Sequence, residues 1–420
     1  MLLLERVLRL DGFGSTADVP ESNQPETIQM KFLSVNILYQ VSREYGKFLS
    51  HKKGSPNLRP ETTPGSVMAR IILQPSGKSI ECAGGDTVLT ALEKAGYALP
   101  NNCRAGACGE CKVRVLRGRF DQGMVLDMAL KPAERREGYG LMCMAKPLSD
   151  ELAIEWGTAD AKPKLFRPRE RALFVITDKR LVTPRVAELR VRPVGKPIRY
   201  WPGQYITIGD EDAGVAPKAY SISNASHPDG ELVLHITRSQ NGATSNWIHD
   251  QLKIGQTVRI SGAYGTFIGD PAVDTPVLCL AAGTGLAPIL ALAEAALRRG
   301  FAKPVTIFYS AKTAQDVYSE GVMAWWKSRH ENFNALITLT QASAADSQGH
   351  FLQGRIPDLL AQHFPDLSAT TIFAAGSPDF VDACVAKAKA LGAAPERIHT
   401  EGFFSRQQPV LPDADHLLPA

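Results

Sequence analysis

The spacing of hydrophobic and polar positions changes along the chain and divides it into blocks. In the first block, the run ARIIL, a turn at 75–77 and a second run over 78–82 predict a β-hairpin. A helix is predicted over Thr87–Ala95, with Asp86 as its N-cap and Gly96 closing it. A cysteine loop and a strand in KVRVLRG follow.

The second block consists of short hydrophobic runs separated by turn residues, including ALFVITDKR, VAELRVRPV, QYITIG and ELVLHITR. This spacing predicts an antiparallel barrel, interrupted by one short helix in TSNWIHDQL. In the third block, strands such as PVLCLAA and PVTIFYS alternate with helical segments, which predicts a parallel sheet covered on both faces. The predicted boundaries are 1–67 for an N-terminal extension, 68–156, a polar linker at 157–170, 171–272, 273–405 and a C-terminal tail at 406–420.

The N-terminal extension carries no assignable function. Its three initial leucines are interrupted by Glu5 and Arg6, so the apolar core of a secretory signal is missing. A helix is predicted near 30–49, followed by a Pro/Gly/Lys-rich stretch. One interpretation is an overextended translation start, with Met68 as the true first residue.

Composition narrows the class of protein. The chain has 420 residues, of which 44% are hydrophobic and 21% charged, and a formal net charge of +4. These values are typical of a globular protein and give no argument for a nucleic acid or membrane partner. Five of the seven cysteines fall within 82–143. Clustered cysteines of this kind indicate metal ligation in a reducing compartment, so a cytoplasmic location is expected.

The cysteine loop NNCRAGACGEC carries the most specific signal. Cys103 and Cys108 are separated by four residues, Cys108 and Cys111 by two, and Cys143 lies further along the chain. This is the plant-type 2Fe–2S spacing, and the small residues of the loop allow the main chain to wrap a cluster. A zinc site is the alternative, but it normally repeats pairs of cysteines. Cys82 is expected to be a packed thiol.

This block resembles plant-type ferredoxin domains. The chain from about 68 to 405 resembles the ferredoxin-fused, ferredoxin–NADP reductase-like electron-transfer components of bacterial multicomponent oxygenases. The resemblance implies a multidomain fold. A β-grasp ferredoxin domain would occupy 68–156, an FAD-binding antiparallel β-barrel 171–272, and an NAD(P)-binding α/β parallel-sheet domain 273–405.

Flavin motifs of that family are matched in the second block. The segment APKAYSISNAS is similar to the family's Arg-x-Tyr-Ser/Thr motif, with lysine in place of arginine. The resemblance implies that Tyr220 packs on the isoalloxazine, that Ser221 lies at flavin N5, and that Lys218 meets the flavin phosphate. Lysine supplies the charge without the bidentate fork of arginine. Tyr205 belongs to a P-G-Q-Y strand like that of the family.

A turn that opens a helix is the second flavin feature. The segment GATS matches the family's G-x-x-S turn, and a helix N-terminus offers free N–H groups to a pyrophosphate. Its predicted cofactor-binding residues are Gly242, Thr244 and Ser245. The segment GAYG at 262–265 matches the family's G-P-Y-G turn, with alanine in place of proline.

Nicotinamide motifs are matched in the third block. Glycines between the strand and helix of LCLAAGTGLAP allow the backbone to approach a pyrophosphate closely. The segment FAAGSPDF resembles a C-G-P/S-P turn, with Ala375 where many members have cysteine. The predicted nicotinamide-binding residues are Gly283, Thr284, Gly285, Gly376, Ser377 and Pro378.

The segment EGFF resembles the family's final E-x-aromatic motif. The resemblance implies that Phe403 covers the flavin and that the Glu401 carboxylate lies near the hydride path, so both join Ser221 as predicted catalytic residues. A core phenylalanine pair at a strand end is the alternative. Lys312 follows the second strand, where it could meet a 2′-phosphate. Relatives with this domain order mostly use NADH, which is favoured here, with NADPH left open.

The resemblance implies an NAD(P)H:acceptor oxidoreductase. A hydride would pass from NAD(P)H to flavin N5, and electrons would then pass singly through the 2Fe–2S cluster to an external acceptor. An oxygenase or hydroxylase is the first expectation for that acceptor. A deoxysugar-forming dehydratase system, or a redox-sensing module without turnover, is the alternative.

Overall fold

The structure is a computed structural model that describes residues 68–342 and 351–403. The helix predicted near 30–49 and the tail at 406–420 lie outside these ranges. Within them, no helix is both long enough and apolar enough to cross a membrane.

The first block is a mixed sheet with one helix packed against it. The sheet order is β2-β1-β7-β3-β5, in which β1 pairs antiparallel with β2 and parallel with β7. The strands are β1 (Ala69–Gln74), β2 (Lys78–Cys82), β3 (Lys112–Arg117), β4 (Phe120–Asp121), β5 (Tyr139–Leu141), β6 (Lys146–Pro147) and β7 (Glu151–Glu155), and the helices are α1 (Val88–Lys94) and α2 (Pro132–Arg136). The predicted hairpin and the β-grasp class are confirmed.

The start of helix α1 differs from the prediction. Thr87, not Asp86, is the N-cap, because its hydroxyl accepts a hydrogen bond from the Thr90 amide at 3.2 Å. Asp86 instead pairs with Lys94 at 3.0 Å. The first free amides of the helix, at Val88 and Leu89, donate at 2.9 Å to the carbonyls of residues 145 and 142, which flank Cys143. These contacts fix α1 against the loop that carries the fourth cysteine.

The second block is an antiparallel sheet that curls on itself. Its order is β11-β10-β13-β8-β9-β12, and a bridge between Ile222 and Leu234 joins the two edges. The elements are β8 (Arg169–Leu181), β9 (Val186–Pro193), β10 (Tyr205–Asp210), β11 (Val215–Ser221), β12 (Leu232–Thr237), β13 (Thr257–Tyr264) and α3 (Ala243–Asp250). The predicted barrel and its single helix are confirmed.

The third block is a parallel sheet of order β17-β16-β15-β14-β18-β19, with a hydrophobic core on each face. Its strands are β14 (Val277–Ala282), β15 (Val305–Ala311), β16 (Phe333–Leu339), β17 (Leu352–Gln353), β18 (Thr371–Gly376) and β19 (Ile398–Gly402), and its helices are α4 (Leu286–Arg298), α5 (Glu320–Arg329), α6 (Ile356–His363) and α7 (Pro378–Ala390). The predicted parallel sheet is confirmed. The sequence pattern does not predict α6, which has only eight residues.

The segment between the first two blocks is held at both ends. The amides of Lys164 and Leu165 donate to the Gly96 carbonyl at 2.8 and 2.9 Å. The Phe166 ring stacks on the Trp201 ring, with centroids 5.5 Å apart. The segment therefore follows the surface of both domains rather than spanning open solvent.

Replacing the cap of α1 tests the corrected helix start. Thr87→Ala removes the hydroxyl that accepts the Thr90 amide, and we expect it to lower the free energy of unfolding by about 1 kcal/mol. Urea denaturation monitored by the visible absorbance of the holoprotein measures this change. Thr87→Ser keeps the hydroxyl and should stay close to the wild type; equal losses in both variants would contradict the cap assignment.

Candidate functional site

Four cysteine thiols gather in the first block as two pairs. Hydrogen bonding from Cys108 lowers the pKa of the Cys103 thiol to about 5, and hydrogen bonding between Cys111 and Cys143 lowers that of Cys143. Cys103 also acts electrostatically on Cys143, and Cys108 on Cys111, so the two pairs are neighbours. The structure brings together all four predicted ligands.

Backbone amides point at these sulfurs. The amides of Ala105 and Ala107 lie 3.4 and 3.3 Å from the Cys103 sulfur, and the Cys143 amide lies 3.4 Å from the Cys111 sulfur. Such donors stabilise the negative charge of a thiolate-ligated cluster. In the described part of the chain, no three His, Cys, Asp or Glu side chains form a site for a single ion. Two neighbouring thiol pairs fit a cluster of two irons, each taking two thiolates.

The small residues of the loop have a second role besides making room for a cluster. Gly106 and Gly109 have left-handed backbone, with φ of 70° and 81°. A Cβ on Gly106 would lie 2.8 Å from the Met124 carbonyl oxygen, and one on Gly109 would lie 3.2 Å from the Ala129 carbonyl oxygen. The segment 124–129 therefore packs directly against the cysteine loop.

Arg104 extends from the same loop toward the flavin block. Its guanidinium contacts the Glu93 carboxylate at 2.5 Å and lies 4.8 Å from the centroid of the Tyr264 ring. Glu93, in α1, is only 2% exposed. Burial would lower the pKa of Arg104, but Tyr205 and Glu93 raise it, so the guanidinium stays charged. A cation thus connects the cysteine loop to the barrel.

Three side chains of the barrel stand side by side on neighbouring strands. Tyr205 of β10 is opposite Ser221 of β11 on one side and Tyr264 of β13 on the other. Gln204 holds the adjoining turn, because its amide nitrogen donates to the Gly265 carbonyl at 3.0 Å. The buried Tyr205 hydroxyl faces the Arg104 guanidinium of the cysteine loop, which interacts with it electrostatically.

The predicted phosphate site adjoins this row. Lys218 and Tyr220 are two positions apart on β11, so their side chains are on the same face of the sheet. The Thr244 hydroxyl donates to the carbonyl of Ala216 at 2.7 Å, which fixes the start of α3 beside the same strand. Lys218 is exposed, and burial raises the pKa of Tyr220.

The Ser245 side chain fixes the turn at Gly242. The Ser245 hydroxyl donates to the Gly242 carbonyl at 3.0 Å and accepts from the Ser239 amide at 3.2 Å. No side chain caps the N-terminus of α3 at Gly242. The first amides of the helix are thus available to an anion, as the sequence predicts for the flavin pyrophosphate.

The predicted nicotinamide residues meet at the carboxyl edge of the parallel sheet. Gly283 has left-handed backbone (φ 56°) and open space where a Cβ would be. Glycine is needed at position 285 for a different reason, because a Cβ there would lie 2.1 Å from the carbonyl oxygen of Ala375. The hydroxyls of Thr284 and Thr237 are 3.2 Å apart and connect this edge to the barrel.

The second turn lies on the neighbouring strand. Ser377 is the N-cap of α7 without a capping side-chain bond, and Pro378 occupies its first turn. The Phe403 amide donates to the Gly376 carbonyl at 2.7 Å, which places this aromatic residue beside the turn. Lys312 is exposed directly after β15. The structure therefore brings both glycine turns to one edge of the sheet, open to a dinucleotide.

Glu401 is a buried carboxyl in β19, opposite Ala375 of β18. Burial first, and the nearby Glu110 carboxylate second, raise its pKa to about 8. Glu401 also acts electrostatically on Tyr205 of the barrel. Residues of all three blocks are therefore close together here: Glu110 and Arg104 from the cysteine loop, Tyr205 and Tyr264 from the barrel, and Glu401 from the parallel sheet.

Four residues at this junction are absent from the predicted site residues: Glu93, Arg104, Glu110 and Tyr264. Tyr264 lies in the matched G-A-Y-G turn, so its position was visible in the sequence although its role was not. Arg104 and Glu93 carry no sequence signal of their own, because a charge pair across a domain boundary leaves no local pattern.

Three family models match successive parts of the chain. A 2Fe–2S iron-sulfur cluster binding domain matches 71–148, an oxidoreductase FAD-binding domain matches 174–268, and an oxidoreductase NAD-binding domain matches 279–386. Their order is the order of the three blocks.

The chain also matches known proteins over most of their length. The reductase subunit of an aromatic O-demethylase from Amycolatopsis is 30% identical over 331 residues, which cover 78% of this chain and 96% of that protein. The reductase component of a phenol 2-monooxygenase from Pseudomonas is also 30% identical, covering 75% and 88%. Reductase component 1 of a terephthalate 1,2-dioxygenase from Comamonas is 29% identical, covering 80% and 97%.

A solved structure shows the same fold. A cytochrome P450 reductase from Amycolatopsis superposes with a TM-score of 0.72 at 28% identity, covering 80% of this chain and 98% of that one. The chain belongs to the family of ferredoxin-fused reductase components of oxygenase systems, whose three domains bind a 2Fe–2S cluster, FAD and NAD(P)H.

Proposed function

We propose that this chain is the NAD(P)H-dependent reductase of an oxygenase or hydroxylase system, and that the residues described above hold its cofactors. One observation carries the proposal. The cysteine loop, the flavin barrel and the carboxyl edge of the parallel sheet contribute side chains to a single junction around Tyr205. Three separate binding domains would have no need of such a meeting point.

When bound, the nicotinamide supplies a hydride, the flavin accepts two electrons and the cluster carries them onward one at a time. The chain's own residues bind and position. Cys103, Cys108, Cys111 and Cys143 would hold the irons. Tyr220 and Ser221 would hold the flavin ring, with its phosphates at Lys218 and the turn of Gly242, Thr244 and Ser245. The glycine turns at Gly283–Gly285 and Gly376–Pro378 would hold the nicotinamide cofactor.

Arg104 and Glu93 act in this proposal as positioning residues. The guanidinium joins the cysteine loop to the two barrel tyrosines, and the buried carboxylate prevents it from turning toward solvent. A fixed contact at this place would hold the cysteine loop and the flavin barrel in one relative position.

Glu401 would hold a proton next to the reacting rings. With its pKa raised to about 8, the carboxyl is neutral at physiological pH and ionises above it. A neutral carboxyl tolerates the negative charge that a hydride brings to the site, whereas a carboxylate repels it.

The acceptor is inferred from the relatives, which are named as components of mono- and dioxygenase, hydroxylase and demethylase systems. A dehydratase partner would use the same three domains, but no described residue favours it. A sensing role without turnover fits less well, because a sensor needs no complete nicotinamide site.

Removing one cluster ligand tests the proposed route. Under anaerobic NADH titration, we expect the wild type to bleach both flavin and cluster absorbance. Cys111→Ser should lose the cluster bands and the reduction of one-electron protein acceptors, while flavin bleaching persists. Cys82→Ala is the matched control, since Cys82 is a buried thiol outside the loop, and it should behave as the wild type. Flavin and cluster that both stay oxidised in the wild type would overturn the proposed function.

The Arg104 contact is tested by interdomain electron transfer. We expect Arg104→Met to slow the reduction of the cluster after rapid flavin reduction by roughly tenfold, equivalent to about 1.4 kcal/mol in the barrier. Stopped-flow absorbance separates the two phases, and the electron paramagnetic resonance spectrum of the reduced cluster should stay unchanged. Arg104→Lys keeps the charge but loses the planar contact, so an intermediate rate is expected; a rate for Arg104→Met equal to the wild type would contradict the role.

The raised pKa of Glu401 predicts that the rate of flavin reduction depends on pH. The rate of flavin reduction by NADH should fall as pH rises through about 8, where the carboxyl ionises. Glu401→Gln should remove this inflection in stopped-flow measurements.

The buried Glu401 carboxyl should also make the stability of the fold depend on pH. An unfolded glutamate ionises near pH ~4.3, so the free energy of unfolding should fall as pH rises from there to about 8, where the buried carboxyl ionises as well. The thermal midpoint of Glu401→Gln should therefore rise relative to the wild type between pH 5 and 8, and parallel curves would refute the assignment.

A further inference from the structure

A buried tyrosine contacts the first glycine turn of the nicotinamide domain. Tyr318 is 4% exposed, and its hydroxyl donates to the Gly283 carbonyl at 3.3 Å. Burial first, and the neighbouring Tyr309 second, raise the pKa of Tyr318 well above its usual range, so the hydroxyl keeps its proton. Tyr318 therefore remains a donor to one carbonyl of the turn.

This hydrogen bond fixes the direction of a whole peptide group. The Gly283 carbonyl and the Thr284 amide belong to one planar trans peptide, in which the C=O and the N–H point in opposite directions. Because the carbonyl points at a buried hydroxyl, the amide points away from that hydroxyl. The Leu286 amide donates to the same carbonyl, so Tyr318 uses its second lone pair and the turn does not depend on the tyrosine alone.

A histidine from the flavin barrel holds the ring of Tyr318. His235 of β12 meets this ring edge to face, with centroids 4.8 Å apart and the two planes at 68°. Aromatic rings favour this arrangement because the positive edge of one faces the negative face of the other. His235 is itself buried, at 6% exposed. The position of the tyrosine in one domain thus depends on a side chain of the other.

A carboxylate on the next strand orients the histidine. Glu188 of β9 is opposite His235 in the antiparallel pair, and its carboxylate lies 3.4 Å from the His235 Nε2 atom. Burial alone would raise the pKa of Glu188, but the hydrogen bond with His235 and the charge of Arg190 lower it to about 2. An ionised carboxylate only accepts hydrogen bonds, so Nε2 of the histidine is the donor. The imidazole therefore has one defined orientation.

The same barrel strand supports the turn at a second point. Thr237 lies two residues after His235 on β12, so the two side chains are on the same face. The Thr237 hydroxyl is 3.2 Å from the hydroxyl of Thr284. One face of β12 thus supports two consecutive residues of the turn, Thr284 directly and Gly283 through Tyr318.

We propose that Tyr318 and His235 are positioning residues for the pyrophosphate of the nicotinamide dinucleotide. The proposal rests on the proposed function and specifies what holds the glycine turn in an anion-binding orientation. Tyr318 keeps the Gly283 carbonyl turned inward, so the Thr284 amide and not a carbonyl oxygen faces the phosphates. His235 acts through Tyr318. Neither residue takes part in hydride transfer, so both affect the affinity for the dinucleotide and leave the chemical step unchanged.

The test compares Tyr318→Phe with the wild-type holoprotein. NADH oxidation with ferricyanide as the electron acceptor gives KM and kcat. ADP-ribose, which carries the pyrophosphate but no nicotinamide, serves as a competitive inhibitor with a measured Ki. Stopped flow gives the rate of flavin reduction by 1-benzyl-1,4-dihydronicotinamide, a hydride donor without phosphates. The matched control is Tyr200→Phe, because the barrel residue Tyr200 is also 4% exposed and donates to the Asn224 carbonyl at 3.1 Å.

We expect Tyr318→Phe to raise the KM for NADH and the Ki of ADP-ribose roughly fivefold, the effect of one lost hydrogen bond, with kcat and the rate with the phosphate-free donor within about twofold of the wild type. Tyr200→Phe should match the wild type in every measurement. An unchanged KM and Ki in Tyr318→Phe would overturn the proposal. Equal losses with NADH and with the phosphate-free donor would overturn it as well, because they would indicate a general structural defect.

A second variant tests whether the histidine acts through the tyrosine. His235→Gln keeps a donor for Glu188 but has no ring to pack on Tyr318. We expect KM and Ki to rise, and the double variant with Tyr318→Phe to bind no more weakly than Tyr318→Phe alone, because both changes remove the same contact. Effects that multiply in the double variant would contradict this coupling.

Failure of this proposal is distinguishable from failure of the proposed function. A wild type that oxidises NADH but is not inhibited by ADP-ribose would refute the pyrophosphate site at this turn and leave the reductase function standing. If the wild type oxidises no NADH with ferricyanide, the proposed function itself fails.

Discussion

A buried carboxylate that must be neutralised is the constraint from which the arrangement of the domains follows. Glu93 lies in the interior of the first domain, where an unpaired charge is strongly unfavourable. Its partner, Arg104, comes from the cysteine loop and continues to the rings of the barrel. Buried ion pairs contribute little net stability compared with apolar packing, but they require one specific geometry. Here that geometry aligns a redox loop with a flavin domain.

Local patterns made most of the fold predictable, and they placed the candidate site residues in segments that the structure brings together. The spacing of the four cysteines, the alternation of strands in the barrel and the glycine turns after β14 and β18 each depend on residues close in sequence, and the structure brings them together as expected. The exact start of α1 was ambiguous in the sequence, because Asp86 and Thr87 are adjacent and both are good N-cap residues. The roles of Arg104 and Glu93 were hidden for another reason, since they arise only where two domains meet.

Some of the predicted site residues also have a structural role in the fold. Gly285 is required by the approach of the Ala375 carbonyl, and the Ser245 hydroxyl closes its own turn. In both cases a residue that resembles a ligand contact also shapes the backbone that would make the contact. A substitution at either position would therefore disturb the backbone of the site as well as its contacts with a cofactor.

The stacking of Phe166 on Trp201, together with the two hydrogen bonds at Gly96, has a kinetic consequence. A connection held at both ends prevents the iron–sulfur domain from moving away from the flavin domain to reach an acceptor. The acceptor must then come to a fixed site on the protein and take one electron each time it binds. Each NADH oxidised supplies two electrons, so the lifetime of the complex with the first acceptor molecule determines how long the second electron stays on the protein.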